Sequence, residues 1–427
     1  MAKKRKKYNK YRGFVIFAVG LVCFLAIAFN GYIHSTPSGA GAPQANIGND
    51  NAPQPPVETH ATVTDNTGSL NRQQIAVLEK YATLYAQTLQ SMQPRDISSL
   101  YRDTSSAAYN LNSTALKVLT SIRGMREKDL TLEYAVVDYT VNNVENGSGK
   151  ATVYLQESNT QKFRHLSQPS LSANLNHIFT LVENNGNWLI SKHEHEEDFY
   201  LLTAECWDDA SGSTNSERAE DALRIAIADA KENLDDLSRF QQGTYYTNLK
   251  VADTSYDRDR AIAYAQKWWN TRNYTDRYLA YDEFGGNCQN FASQCLYAGG
   301  IDMDYTGVHD NQWKFYDETP NNRATASGRS YSWTGVDMFY SYALISYESG
   351  LVALTDIDYN YAEKGDIIHV GAYYQWRHAL FITDVMRDAD GNVTDIIVAS
   401  NTADRWNYPL SAYIYTAPRL IHILGQN

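Results

Sequence analysis

Four cysteines in 427 residues leave no basis for a disulfide framework. Cys288 and Cys295 stand seven apart on one helical face, too distant to bridge there. Cys295 reads as a small buried apolar residue. With so few thiols, the chain can keep one for chemistry. Positive charge is also scarce beyond the N-terminus. Seven of the 37 basic residues fall within the first twelve positions (Lys3, Lys4, Arg5, Lys6, Lys7, Lys10, Arg12), which leaves 30 against 49 acidic ones, a net of −19 for the rest. An acidic body of this kind repels phosphate, which excludes a nucleic-acid partner.

Long uncharged stretches are equally rare, and one stands out. Gly13 to Ile33 carries no charge and is apolar from Phe14 to Phe29, directly after the basic cluster. The pattern predicts a single membrane-crossing anchor with its N-terminus in the cytoplasm and the bulk of the chain outside the cell. Ala26–Ile27–Ala28 and Ala40–Gly41–Ala42 resemble cleavage sites, so a secreted product is the alternative. A content of 32 Tyr and 8 Trp suits an exported protein that recognises peptides or glycans.

The length predicts two or three domains. Residues 1–34 form the basic tail and anchor, and 35–68, rich in Pro, Gly, Ala, Asn and Thr, form a disordered tether. Residues 69–205 begin with Ile75, Leu78, Ala82, Tyr85 and Leu89 at helical spacing, then a shorter helix over Thr114–Arg123. Alternating segments Leu130–Asn142, Ala151–Glu157, His177–Glu183 and Trp188–Glu196 follow, joined by turn sequences. This order of elements resembles the cone-shaped α+β domains of nuclear-transport-factor type. His193–Glu194–His195 could suggest a metal tract, but reads instead as a polar strand end entering a loop, and no metal or cofactor is expected. A linker over 206–254 contains a helix at 217–240, and a last domain spans 255–427.

The last domain carries the chemistry. Gly285–Gly286–Asn287–Cys288–Gln289–Asn290–Phe291 opens a helix to Ala298, setting Cys288 at a helix N-terminus where unpaired N–H groups favour a thiolate. Ninety residues later, Trp376–Arg377–His378–Ala379–Leu380 begins an apolar strand, and His378 is the candidate general base. Asp390–Gly391 marks a hairpin turn whose register, positions summing to about 780, puts residues 400–403 opposite His378. Cross-strand neighbours lie roughly 5 Å apart, so Asn401 is the candidate orienter of the imidazole, with Asp404 in reserve. Asp384, six residues along the same strand, lies roughly 20 Å away and is excluded. Asn287 and Gln289 are candidate oxyanion donors beside the Cys288 N–H. Trp376, with Tyr373 and Tyr374, is a candidate groove wall.

Residues 256–427 resemble the putative amidase domain family of exported bacterial proteins, placed among the papain-like cysteine hydrolases. The matching residues are the helix Arg260–Trp269, Asn287–Cys288–Gln289–Asn290–Phe291–Ala292–Ser293–Gln294–Cys295–Leu296–Tyr297–Ala298–Gly299–Gly300, Ser332–Trp333–Thr334, Lys364–Gly365–Asp366–Ile367–Ile368, and His378–Ala379. That family more often has Asp where Asn287 stands. His369 and His422 compete with His378 but lack the family position. The resemblance implies an α+β fold and a cysteine amidohydrolase. The expected protein is therefore an N-terminal membrane helix, an α+β cone-like domain, a linker helix and a papain-like α+β hydrolase. Peptidoglycan or another surface peptide is its expected substrate. A non-catalytic surface-binding module and a transglutaminase-like acyl transferase are the alternatives.

Overall fold

The computed structural model describes residues 58–241, 250–273, 278–307, 311–315, 328–346, 348–372 and 375–427. The expected anchor over Gly13–Ile33 lies outside them. No helix among the described residues is long and apolar enough to cross a membrane. Glu58–Ala280 and Asn287–Asn427 form one compact unit. Tyr281–Gly286 belongs to a second unit and holds a one-turn 3-10 helix, Asp282–Phe284, followed by Gly285 and Gly286 at φ 102° and 132°. Such positive φ values explain the glycine pair.

Helix α1 (Arg72–Ser91) starts on a capping box: the Asn71 side chain accepts from the N–H groups of Gln73 and Gln74, and Gln74 returns to the Asn71 N–H. Helix α2 (Ala107–Gly124) is capped by Ser106, and α3 (Asp198–Asp209) and α4 (Asn215–Gln241) follow. The C-terminal region supplies α5 (Arg258–Trp268), capped by Asp257 on the Arg260 N–H, then α6 (Cys288–Ala298), α7 (Tyr331–Thr334) and α8 (Val336–Ile345). Helices at 72–91 and 215–241 enclose the predicted ones. Helix α3 was not foreseen, because its N-terminus follows the stretch read as a polar strand end.

Eleven strands form one sheet: β1 (His60–Asp65), β2 (Leu132–Gly147), β3 (Lys150–Phe163), β4 (Ser170–Asn184), β5 (Asn187–His195), β6 (Leu351–Thr355), β7 (Ile367–Ala372), β8 (Gln375–Arg387), β9 (Val393–Ser400), β10 (Asp404–Pro409) and β11 (Ala417–Gln426). Their order is β1-β2-β3-β4-β10-β9-β8-β7-β11-β6, with β5 added on β4. Strand β1 lies within the segment expected to be a tether and pairs parallel to β2, from His60 opposite Val136 to Asp65 opposite Val141.

The join between β10 and β4, Asp404 opposite Ala173 and Trp406 opposite Leu171, corrects the expected fold class. The chain is a mixed α/β structure with one large sheet and eight α-helices among the described residues. It is not a cone followed by a separately closed papain-like α+β sheet. Alternation along a strand shows which face is buried, but not which distant strand shares its edge.

Strand register assigns the two faces. Ile367 stands opposite Phe381, Ile368 opposite Leu380, His369 opposite Ala379 and Val370 opposite His378. Directly opposed residues leave a sheet on the same side. Ile367, Ala379 and Phe381 join the core that contains Cys288, whereas Ile368, Val370, Leu380 and Ile382 join the core that also contains α1, α2 and α3.

His193 and His195 end no polar surface. They are buried on β5, and their rings stack with His177 at 5.2 and 4.8 Å between centroids. The His177 Nδ1 lies 3.0 Å from the His193 Nε2, and its Nε2 lies 3.0 Å from a Glu157 carboxylate oxygen. Parallel rings do not aim several lone pairs at one point, and no His, Cys, Asp or Glu group among the described residues could hold a metal. Burial holds His193, His195 and His369 well below the ordinary imidazole range, and His378 down at about 4. Glu197 opposes them: burial and the Glu157 carboxylate push it up to about 7, which favours folding toward acid. The unfolded chain protonates the four imidazoles below about pH 6.5, and the folded one does not. Their contribution is therefore complete above about pH 6.5 and is lost as pH falls toward 4, by up to about 1.4 kcal/mol per group per pH unit. The urea midpoint should drop between pH 7.5 and pH 5. An unchanged or higher midpoint at pH 5 would contradict the assignment.

Candidate functional site

Cys288 is the first residue of α6 and is buried in the core formed by Phe291, Cys295, Ala379, Phe381 and Ala399. Alanines at 379 and 399 let the helix lie close to β8 and β9. Asn287, the N-cap residue, has φ −109° and ψ 0° and makes no side-chain cap to its own helix. Its side chain serves as a clamp instead. The Nδ2 donates to the Asn401 Oδ1 at 2.9 Å, the Oδ1 accepts from the Asn290 Nδ2 at 2.8 Å, and the backbone N–H donates to the Thr402 Oγ1 at 2.7 Å.

Asn401 follows the last residue of β9, and its Nδ2 donates to the carbonyls of Trp268 and Trp269 at 3.1 and 2.6 Å. It ties the C-terminal end of α5 to the N-terminal end of α6. The β8–β9 hairpin has the expected register, with Phe381 opposite Ala399 and Ile382 opposite Val398. Asn401 nevertheless accepts from Asn287 and donates to Trp268 and Trp269, and makes no hydrogen bond to His378, so the expected role of orienter is corrected. Asp404 is engaged by Asn174 and Arg272.

His378 points to the other side of the sheet from Cys288, in register with Val370. Its ring lies 6.3 Å from that of Tyr413, and its Nε2 is buried without a hydrogen-bond partner among the described residues. Burial lowers its pKa to about 4, with Asp198 raising it and Arg405 lowering it further. The structure thus brings Asn287 and Asn401 together beside Cys288, and does not place His378 on that side.

The histidine on the Cys288 side is His369. Its Nε2 lies 2.9 Å from the Gln289 Oε1, and its Nδ1 lies 3.0 Å from an Arg419 guanidinium nitrogen. Arg419 stacks over Tyr340 at 3.8 Å and over Trp376 at 4.5 Å, and pairs with Asp337 at 3.1 Å. Trp376 is half-buried against this guanidinium, while Tyr373 and Tyr374 lie outside the described residues. Trp313, Phe315 and Trp333 are core residues. Sequence reasoning set His369 aside as a strand residue. Arg419 carried no local signal, because its partners lie on β7, β8 and α8.

Residues 255–424 match the model of the family described as "Putative amidase domain", in agreement with the resemblance read from the motifs. A protein of Bacillus subtilis (strain 168) described as "Uncharacterized protein YhbB" is 34% identical over 155 residues, 36% of this chain and 40% of that protein. The chain therefore spans less than half the length of that relative. No solved structure matches the chain.

The clamp makes Asn401 a structural residue. Asn401→Ala removes the acceptor of the Asn287 Nδ2 and the side-chain donor to two tryptophan carbonyls, and should destabilise the fold by about 1–3 kcal/mol. Urea unfolding measures this directly. Full stability with lost activity would instead return Asn401 to the role of imidazole orienter.

Proposed function

We propose that residues 255–424 hydrolyse an amide bond with Cys288 as the nucleophile. The observation that carries this reading is a cysteine at the first position of α6, its preceding residue clamped on three sides, within a region that matches the amidase family. In this reading the Cys288 sulfur adds to the amide carbonyl, and the helix-start N–H groups receive the oxyanion. The C–N bond then breaks as the departing amine takes a proton, leaving a thioester that water hydrolyses to the acid.

His378 is the proposed proton carrier, on chemical grounds. Both ring nitrogens of His369 are engaged, and the His422 Nδ1 is held 2.7 Å from Asp366. The His378 Nε2 has no partner among the described residues, and its neutral form is available at pH 7. Its ring must turn to the Ala379 side to meet Cys288. The strand irregularity between Val370 and Gly371, directly before His378, is where a side chain can be re-aimed.

The proposed substrate is a peptidoglycan peptide. The basic cluster and the uncharged stretch after it support export, and the net negative body turns away polyanions. Incubating the purified protein with peptidoglycan sacculi, followed by mass spectrometry of released muropeptides, should show one cleaved amide. Cys288→Ala should lower the rate by about a thousandfold or more. His378→Ala should cause a loss of similar order, since groups that act as a unit fail together. Full activity in the Cys288 variant removes the nucleophile. Full activity in the His378 variant alone removes the base.

A further inference from the structure

We infer that His369 is a positioning residue for Cys288, held in a single tautomer by Arg419 and fixing the first turn of α6 through Gln289. This rests on Cys288 being the nucleophile. A guanidinium has only donors, so the His369 Nδ1, 3.0 Å from Arg419, is an acceptor and carries no proton. A neutral imidazole then has its proton on Nε2, which donates to the Gln289 Oε1 at 2.9 Å. The opposite orientation of the Gln289 amide would set an N–H against a nitrogen that already bears one. The direction of every bond in the chain follows.

The Gln289 Nε2 donates to the Ser293 Oγ at 3.3 Å, and the Ser293 hydroxyl donates to the Trp333 carbonyl at 2.9 Å. The Trp313 Nε1 donates to the same hydroxyl at 3.2 Å. His369, Gln289 and Ser293 are all fully buried, so a group left without its partner there has no water to turn to. The residue after Cys288 is thus gripped by a one-way relay, Arg419 to His369 to Gln289 to Ser293, while the residue before it, Asn287, is held by Asn401, Asn290 and Thr402.

The groups that face His369 are few. Arg419 approaches from β11 and Gln289 from α6, with Asp337 of α8 behind Arg419 and the Phe339 ring 6.2 Å away. From β8 the nearest ionisable group is His378, on the other side of the sheet. A proton on Nδ1 would meet the guanidinium head on, so both Arg419 and burial keep the ring neutral. Neutral and doubly bonded, His369 is a poor base for Cys288 but a stiff support.

The test needs no substrate. Iodoacetamide alkylation of Cys288 in the full-length protein is followed by mass spectrometry across pH 5–9, with buried Cys206 and Cys295 as internal references. Arg419→Met keeps an apolar stem between the aromatic rings but frees Nδ1. The Cys288 alkylation rate should then change by about tenfold across the profile, because a ring free to take either tautomer no longer fixes Gln289 in one orientation. A profile superimposable on that of the parent overturns the inference.

His369→Gln offers an acceptor to Arg419 and a donor to Gln289 without titrating, and should keep the parent rate and profile. His369→Phe offers neither and should change the rate by about tenfold. Equal rates in the Gln and Phe variants also overturn the inference, and this pair decides it if Arg419→Met fails to fold by circular dichroism. If alkylation responds as expected while Cys288→Ala still cleaves sacculi, the positioning role stands and the nucleophile assignment falls.

Discussion

The pairing of β10 with β4 is the constraint on which the rest of the fold depends, and buried charge locks it. Arg405, on β10, is 4% exposed and lies 3.2 Å from Glu197 and 2.9 Å from Asp198, at the start of α3. Its guanidinium also sits over the rings of Tyr408 and Tyr413 at 4.6 and 4.8 Å. Separating the strands would leave a buried cation without its carboxylates, a loss of about 3–5 kcal/mol. Arg123 of α2 reinforces the seam by donating to Gln161, to the Tyr408 hydroxyl and to the Ala412 carbonyl. Two guanidinium groups thus bind α2, α3 and β3 to the C-terminal segment that carries β10. The same carboxylate and guanidinium act on His378, which ties its electrostatics to the seam.

The two faces of β7 and β8 have opposite electrostatic character. The seam side is built from ionisable groups: Glu157, Glu197, Asp198 and Arg405. The Cys288 side is built chiefly from neutral amides. Asn290 shows how tightly they are used: its Nδ2 donates to Asn287 and to the Leu279 carbonyl, and its Oδ1 accepts from the Trp333 indole at 2.8 Å. Amides that satisfy one another hold a shape without placing a charge beside the thiol. A neighbouring carboxylate would oppose a thiolate there, so an Asn at 287 keeps the helix start free of negative charge.

The sequence was most legible where one residue sets its own surroundings. Asn71 and Asp257 cap their helices, the glycines at 285 and 286 take positive φ, and Asp390–Gly391 sets the β8–β9 register. Asn287 and Gln289 were expected as oxyanion candidates beside Cys288, and the partners that hold them were not legible. Those partners, Asn401, His369 and through it Arg419, arrive from strands far along the chain. Their choice depends on sheet order, and sheet order depends on edges, which side-chain alternation does not record. The seam was hidden for the same reason. Glu197, Asp198 and Arg405 are ordinary charged residues until the β4 and β10 edges meet. The stacked histidines illustrate a different limit. His193 and His195 share a strand face, as expected, but that face is closed by α1 and α2, so a polar pattern became a buried one.

Where the reading of His378 meets the structure, the ladder is broken at one glycine. Between Val370–His378 and Gly371–Trp376 the β7–β8 register slips by one residue, leaving Arg377 unpaired in the ladder and turned to Glu205. A Cβ on Gly371 would fall 1.9 Å from the Gln375 carbonyl oxygen, so the close approach of the two strands at this slip requires glycine. Because side chains alternate with a period of two, a slip of one residue exchanges faces. It puts Trp376 on the Arg419 side, opposite to His378 on the Tyr413 side. His378 itself alternates regularly with Ala379, whose side is held by the β7 and β9 pairings of the strand, so the slip changes the side of Trp376 relative to it. A strand end with an extra residue is also where such an exchange is least opposed, since few ladder hydrogen bonds lie beyond it. Chain order and sheet parity thus make opposite statements about the same ring, and the slip at Gly371 is the break in the ladder next to it.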